Sequence, residues 1–375
     1  MPKNPCIDFP DVFVVLQNDA SCDVVIVGAG IAGISCAYHL QQAGYSVIVL
    51  EKDVVGSGAT GGSSGILYYG SGTNFTQAKE LYGPKKASLL WKETDQTIKD
   101  IINIIEKNKL DCGLRKIGGI MVAKNNDQVD LLKQEACNLA GLNIPTIPLT
   151  PAQLNKHYTL QAFEAGLYFT DVVQIDPAHF VSELARHFNI PLYEKSPMIS
   201  YEQQGDVVVV KSQAAKITAK HLIIASNLEP LFGLEKQWKM EGSVIMASQA
   251  LSKEEQLRIW PTQSIIWTME HEYDIIYPHY ERAILELYRF KDVDQKIARY
   301  YPGVEYRIDK RWGGTWAKTN DFMPFVGSVT SRIHVAVAMG DQGIVMGWTA
   351  GSKIQAVIKE KKDPLLEMMS IKRFE

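Results

Sequence analysis

The sequence predicts an α/β fold in which a domain on a parallel sheet is interleaved with an α+β domain on an antiparallel sheet. Three observations predict it. An apolar run, Val24 to Val27, enters the turn Gly28-Ala29-Gly30-Ile31-Ala32-Gly33, and a second apolar run ends at Leu50-Glu51. Proline follows a capping side chain at Thr150-Pro151 and again at Asp176-Pro177, which marks helix starts between strands. Ser264 to Thr268, Asp274 to Tyr277 and Ala283 to Tyr288 read as short antiparallel strands. A chain of 375 residues, 46% apolar and 22% charged, has the size for two domains and the composition of a globular protein.

The first element, Val24 to Val27, is a buried parallel strand. Gly28 makes the tight turn after it, Gly30 lets backbone approach a ligand without a Cβ between, and Gly33 permits close contact of helix and strand. The helix that begins at Ile31-Ala32 aims unpaired N–H groups at this turn, where they favour phosphate oxygens. Glu51 lies 18 residues beyond Gly33 (51 − 33), the spacing at which a carboxylate meets a ribose hydroxyl pair, with Lys52 beside it. Strand, turn, helix, strand and acid in this order form a dinucleotide cradle. Val54 to Gly65 then holds five glycines in twelve residues. Such a stretch suits backbone laid flat on a long ligand, with Gly58, Ala59, Thr60, Ser63, Ser64 and Gly65 as its contacts.

Further along, Pro84 opens a long amphipathic helix with Ala87, Leu90, Trp91, Thr94, Ile98, Ile101, Ile102 and Ile105 on one face. Pro151 and Pro177 open two more, the second burying Phe180, Val181, Leu184 and Phe188. Gly205-Asp206 divides Pro197 to Tyr201 from Val207 to Lys211 as a hairpin turn, and His221 to Ala225 is a strand returning to the cradle. A last strand, Ile333 to Met339, leads into Gly340-Asp341-Gln342-Gly343 and a helix toward Lys359.

Several function classes are disfavoured. A net charge of −3 gives no electrostatic case for nucleic acid. The apolar stretch Val24 to Ala37 falls short of the roughly 20 residues that span a bilayer. Cys6, Cys22, Cys36, Cys112 and Cys137 form no close pair, and no His or Cys spacing suggests a metal; His271 and His279 read as surface or hydrogen-bonded groups. The first twenty residues lack the order of a secretion signal and read as a short arm. Reduced thiols place the chain in the cytoplasm.

The cradle, the loop Gly58 to Gly65, Ile175-Asp176-Pro177, Glu194 to Met198, His221 to Ser226, Trp312-Gly313-Gly314, Thr319 to Gly327 and Val335 to Gly347 follow one another at characteristic spacing. In them the chain resembles the D-amino-acid oxidase-like (DAO) family of FAD-dependent oxidoreductases, whose members include glycine oxidase, sarcosine oxidase and other amine oxidases. The resemblance implies a Rossmann-like FAD-binding domain of residues 1–83, 150–230 and 318–375, interleaved with an α+β substrate domain of residues 84–149 and 231–317. It implies FAD held also by Met198 and Ala225, with Gly340, Gln342 and Gly343 at the flavin edge, where a helix N-terminus stabilises the negative charge of the reduced ring. The reaction implied is oxidation of the C–N bond of an amine or amino acid by hydride transfer to flavin N5, followed by imine hydrolysis, with oxygen or another acceptor taking the electrons.

Tyr68, Tyr69, Trp267, Tyr277, Tyr288 and Trp316 are the candidate walls of a dry substrate pocket, and Trp316, Tyr277 and Gln342 the candidate catalytic groups. Trp316 stands where amino-acid-oxidising members carry an arginine that grips the substrate carboxylate, so amines are the expected substrates. Arg282, Arg289, Arg307 and Arg311 are the other possible sources of that charge. No counterpart is evident of the lysine that some members place over the flavin, which leaves oxidase and dehydrogenase both open. FAD-dependent oxidation of a hydroxy acid or other alcohol, and a flavin-binding assembly or interaction protein without turnover, are the alternatives.

Overall fold

The computed structural model describes residues 13–160, 162–227, 232–269, 273–288, 293–300 and 306–374. Cys6, His271, Arg289 and most of the N-terminal arm therefore lie outside the described residues.

Two large sheets organise the chain. In the first, the strands run Phe325–Ser328, Ile333–Val337, Lys216–Ile224, Ala20–Val27, Val47–Leu50, Leu192–Tyr193, all parallel except the first. The hairpin Ser200–Gln204 and Val207–Lys211 pairs with the early part of Lys216–Ile224, where Ile333–Val337 does not reach. Val24, Val25 and Ile26 are fully buried, as expected for a parallel strand covered on both faces. Register brings Val27 level with Leu50 and Ile224, so three strands end together and open a crevice at their carboxyl ends.

The second sheet runs Ile308–Thr319, Trp238–Ser248, Arg282–Leu287, Asp274–His279, Ile265–Thr268, Gly119–Ala123, Ala165–Phe169, Thr146–Leu149. Only its Ile265–Thr268 and Gly119–Ala123 pair is parallel. Ala165–Phe169 falls in the 150–230 segment expected with the first sheet, yet it pairs with Gly119–Ala123 and Thr146–Leu149. Thr146–Leu149 carries Pro148, which is tolerated because this is an edge strand.

Helix Ile31–Gln42 packs its Ile31 and Ser35 side chains on helix Gly343–Ile358 where that helix carries only glycine. A Cβ on Gly351 would meet Ser35 Oγ at 2.2 Å, and one on Gly347 would meet Ile31 Cγ2 at 2.8 Å. Ser35 Oγ also donates to the Trp348 carbonyl at 2.9 Å. The long helix Pro84–Asn108 packs outside this pair, with Thr97 and Thr349 hydroxyls 2.8 Å apart. Helix Phe75–Tyr82 is pinned by Glu135 of helix Asn126–Ala140. That buried carboxylate accepts from the Phe75 and Thr76 amides and the Thr76 hydroxyl, a helix N-terminus satisfied by an acid. The last strand stops at Val337 rather than Met339, because Ala338 takes a φ of 59° and leaves the extended region.

Candidate active site

The cradle is held by backbone. Gly28 has a φ of +105°, and a Cβ on it would lie 2.6 Å from the Ala225 carbonyl oxygen. A Cβ on Gly33 would lie 1.8 Å from the Gly28 carbonyl oxygen, so helix and turn touch as only glycine allows. Glu51 accepts from the Ala29 amide and from the Asp53 amide, both at 2.8 Å. Burial raises its pKa while these two amides oppose the shift. Thr60, in the short helix Ala59–Gly62, accepts from the Ile31 amide at 3.0 Å and so ties the loop to the helix start.

That loop is positioned from beneath. Val55 donates its amide to Glu194 at 2.8 Å, and Gly56 donates to the Ala29 carbonyl at 3.0 Å. A Cβ on Gly65 would lie 2.0 Å from the Ile175 carbonyl oxygen. The family-like segments Glu194 to Met198 and Ile175 to Pro177 thus hold the loop against the cradle.

One cavity of about 880 Å³ runs along these elements, a volume that suits a cofactor together with a small substrate. Gly28, Gly30, Ile31, Ala32, Glu51, Lys52, Gly58, Ala59, Thr60, Ser63, Ser64, Met198, Ala225, Gly340, Gln342 and Gly343 line it, and Trp316 does too. Gly33 and Gly65 stand just behind, where they fix the backbone of the wall. A helix N-terminus, close backbone approach and a carboxylate acceptor at the second strand end are an arrangement that fits a dinucleotide.

The cavity continues from the cradle into a chamber on the antiparallel sheet, walled by Tyr68, Trp267, Tyr273, Ile275 and Trp316. Tyr68 and Trp267 meet edge to face with centroids 5.2 Å apart. Tyr277 does not line it. This residue is 3% exposed and lies on the Ile275 face, but about 7 Å further along the strand, under the core. Tyr69 and Tyr288 are also off the wall, although Tyr288 touches Trp316 at a centroid distance of 5.9 Å. No arginine among the described residues lines the cavity. Arg282 pairs with Asp309 at 2.6 Å, and Arg307 and Arg311 are exposed.

Two acids missed in the sequence reading do line it, Glu286 and Asp341. Glu286 lies in strand Arg282–Leu287 and accepts from the Ser243 hydroxyl at 2.5 Å. Burial raises its pKa against the Ser243 and Ser64 hydroxyls. Asp341 precedes helix Gly343–Ile358, and burial pushes it up to about 6 despite Lys318 and the Trp316 indole. The signal for Glu286 was present: an acid inside the run Ala283-Ile284-Leu285-Glu286-Leu287, whose other four members are buried.

Residues 23–355 match the model of the DAO family, FAD dependent oxidoreductase. Gamma-glutamylputrescine oxidoreductase of Escherichia coli (strain K12) is 24% identical over 369 residues, covering 92% of this chain and 86% of its own. Glycine oxidase of Bacillus licheniformis is 23% identical over 363 residues, covering 90% and 92%. The crystal structure of glycine oxidase from Geobacillus kaustophilus superimposes with a TM-score of 0.76 at 18% identity, over 95% of this chain and 100% of that one. By fold and by family model, the chain belongs to the DAO family of FAD-dependent oxidoreductases.

Proposed function

We propose that this chain oxidises the C–N bond of an amine and passes the electrons to oxygen or another acceptor. The observation that carries the reading is Trp316. It lines the chamber where the family resemblance expects an arginine, and no described arginine replaces it. A buried carboxylate without a paired donor costs several kcal/mol, which disfavours amino acids and hydroxy acids alike. An indole face instead attracts an ammonium or packs on an alkyl chain. The E. coli relative, named for gamma-glutamylputrescine, agrees with an amine.

FAD, when bound, supplies the two-electron acceptor. The chain's own residues do the rest. Gly28, Gly30, the Ile31 helix start and Glu51 hold the dinucleotide, and the loop carrying Thr60, Ser63 and Ser64 lies along it. Tyr68, Trp267 and Trp316 exclude water and orient the substrate carbon. Gln342 stands at the N-terminal boundary of helix Gly343–Ile358 without a side-chain cap, and it lines the cavity together with Gly343. The four described cysteines are free, as reduced thiols in a cytoplasm would be, and burial pushes Cys22, Cys36 and Cys112 up to about 12, which leaves them inert.

Anaerobic bleaching of the flavin by a panel of small molecules tests the reading. Amines should bleach it. Bleaching by hydroxy acids alone supports alcohol oxidation instead, and bleaching by nothing supports a flavin-binding assembly protein.

A further inference from the structure

The charge of the chamber is one-sided. Glu286 and Asp341 both face it, and Glu241 adds a third acid whose field reaches Asp341. Among the described residues, Lys318 is the cation whose charge acts on Asp341, and it also lies 3.9 Å from Glu241. Among the described residues, Oε2 of Glu286 and Oδ1 of Asp341 are buried and make no well-formed hydrogen bond, with the Ser64 hydroxyl beside the first acid and the Trp316 indole beside the second. Two half-buried acids, each with a buried oxygen left open beside aromatic rings, have among the described residues only Lys318, beside one of them, as a positive partner.

The rings are placed to complete such a site. Tyr273 feels both Glu286 and Asp341. Its centroid lies 6.1 Å from that of Tyr288, which in turn meets Trp316. Aromatic faces backed by carboxylates are the surroundings that hold alkylammonium groups.

We propose that Glu286 is the specificity-determining anchor for a positively charged group of the substrate, with Asp341, Trp316 and Tyr273 completing the subsite, so that the substrate class is an amine bearing a second positive charge. The inference rests on the amine reading above and narrows it. The reacting nitrogen gives up its proton before its carbon can lose hydride, so the second ammonium is the charge that Glu286 pairs; a monoamine leaves Glu286 unpaired. Selection follows from that difference, because an amine and a diamine of equal length offer the same apolar surface.

Holoenzyme titrated anaerobically with diaminobutane and with aminobutane tests it. Flavin bleaching reports reaction, and calorimetry with analogues methylated twice on each nitrogen-bearing carbon, which have no hydrogen there to lose, reports binding. The diamine and its analogue should bind at least about tenfold more tightly than the monoamines, as one charge-assisted contact provides. Glu286→Gln should erase that ratio while flavin content stays at the wild-type level, and Asp341→Asn should reduce it. Equal binding of diamine and monoamine, or a Glu286→Gln variant with an unchanged ratio, overturns the proposal even if amines bleach the flavin. If no amine bleaches the flavin but the diamine analogue binds through Glu286, the subsite stands and the amine-oxidation reading falls.

Discussion

The cradle and the chamber share one cavity but are built by different means. In the cradle, contacts come from backbone: Gly28, Gly33 and Gly65 have no room for a Cβ, and Glu51 is spent on the Ala29 and Asp53 amides. In the chamber, contacts come from side chains on strands far apart in the sequence, and Glu286 and Asp341 keep open oxygens. The cradle is finished before its ligand arrives, whereas the chamber is complete only with a charged occupant. The first can serve any member of a fold family; the second selects a substrate.

The largest effect should come from filling the cradle. Gly33→Val forces a side chain into the Gly28 carbonyl, 1.8 Å from an ideal Cβ, and should cost about 3 kcal/mol or more along with all bound flavin. Gly30→Val is the sharper variant. Its Cβ meets only Thr60 Oγ1 at 3.1 Å, so flavin should be lost while circular dichroism stays near wild type. Full flavin retention in Gly30→Val breaks the cradle assignment.

Next comes the chamber. Trp316→Ala should leave flavin content intact and slow anaerobic flavin reduction by amines about 10- to 100-fold, the loss expected from a poorly positioned substrate. If flavin content falls with the rate, the two regions are not separable.

Asp341 gives a pH signature. Its folded pKa, about 6, stands above the ordinary value of 3.8. The folded state then binds more protons than the unfolded one between those values, so stability is highest below that window and falls as pH rises through it. Asp341→Asn should remove the decline, leaving the variant more stable than wild type above pH 6 by about 3 kcal/mol, as melting curves across pH would show. A saturating diamine should lessen the decline in wild type by pairing the ionised form.

The smallest effect belongs to the cradle again. Thr60→Val removes the acceptor of the Ile31 amide and should cost about 1 kcal/mol in stability, with flavin retained. A loss of flavin as complete as in Gly30→Val would show that the cradle depends on side chains after all.

This contrast also explains what the sequence could reveal. Gly28, Gly30, Gly33 and Glu51 lie within one βαβ unit, so local spacing encodes their geometry. Their strands and helices were legible for the same reason. Tyr273 was missed and Tyr277 chosen because Tyr277 lies within strand Asp274–His279 whereas Tyr273 stands just before it, and only packing decides which of the two meets the cavity. Strand Ala165–Phe169 was not read from the sequence, because its pairing with Gly119–Ala123 and Thr146–Leu149 leaves no local mark. Glu286 was hidden by its apolar neighbours, although an acid among buried aliphatic residues was itself the clue. Trp316 was found only through the family pattern it breaks.

The central claim is that the chamber, not the cradle, sets the substrate class. The most direct measurement is the ratio of anaerobic flavin reduction rates by aminobutane and by glycine, in wild type and in Trp316→Arg. The account predicts a ratio well above one in wild type and a marked fall in the variant, with equal flavin content in both. Faster reduction by glycine in wild type, or a ratio unmoved by the substitution, would contradict it.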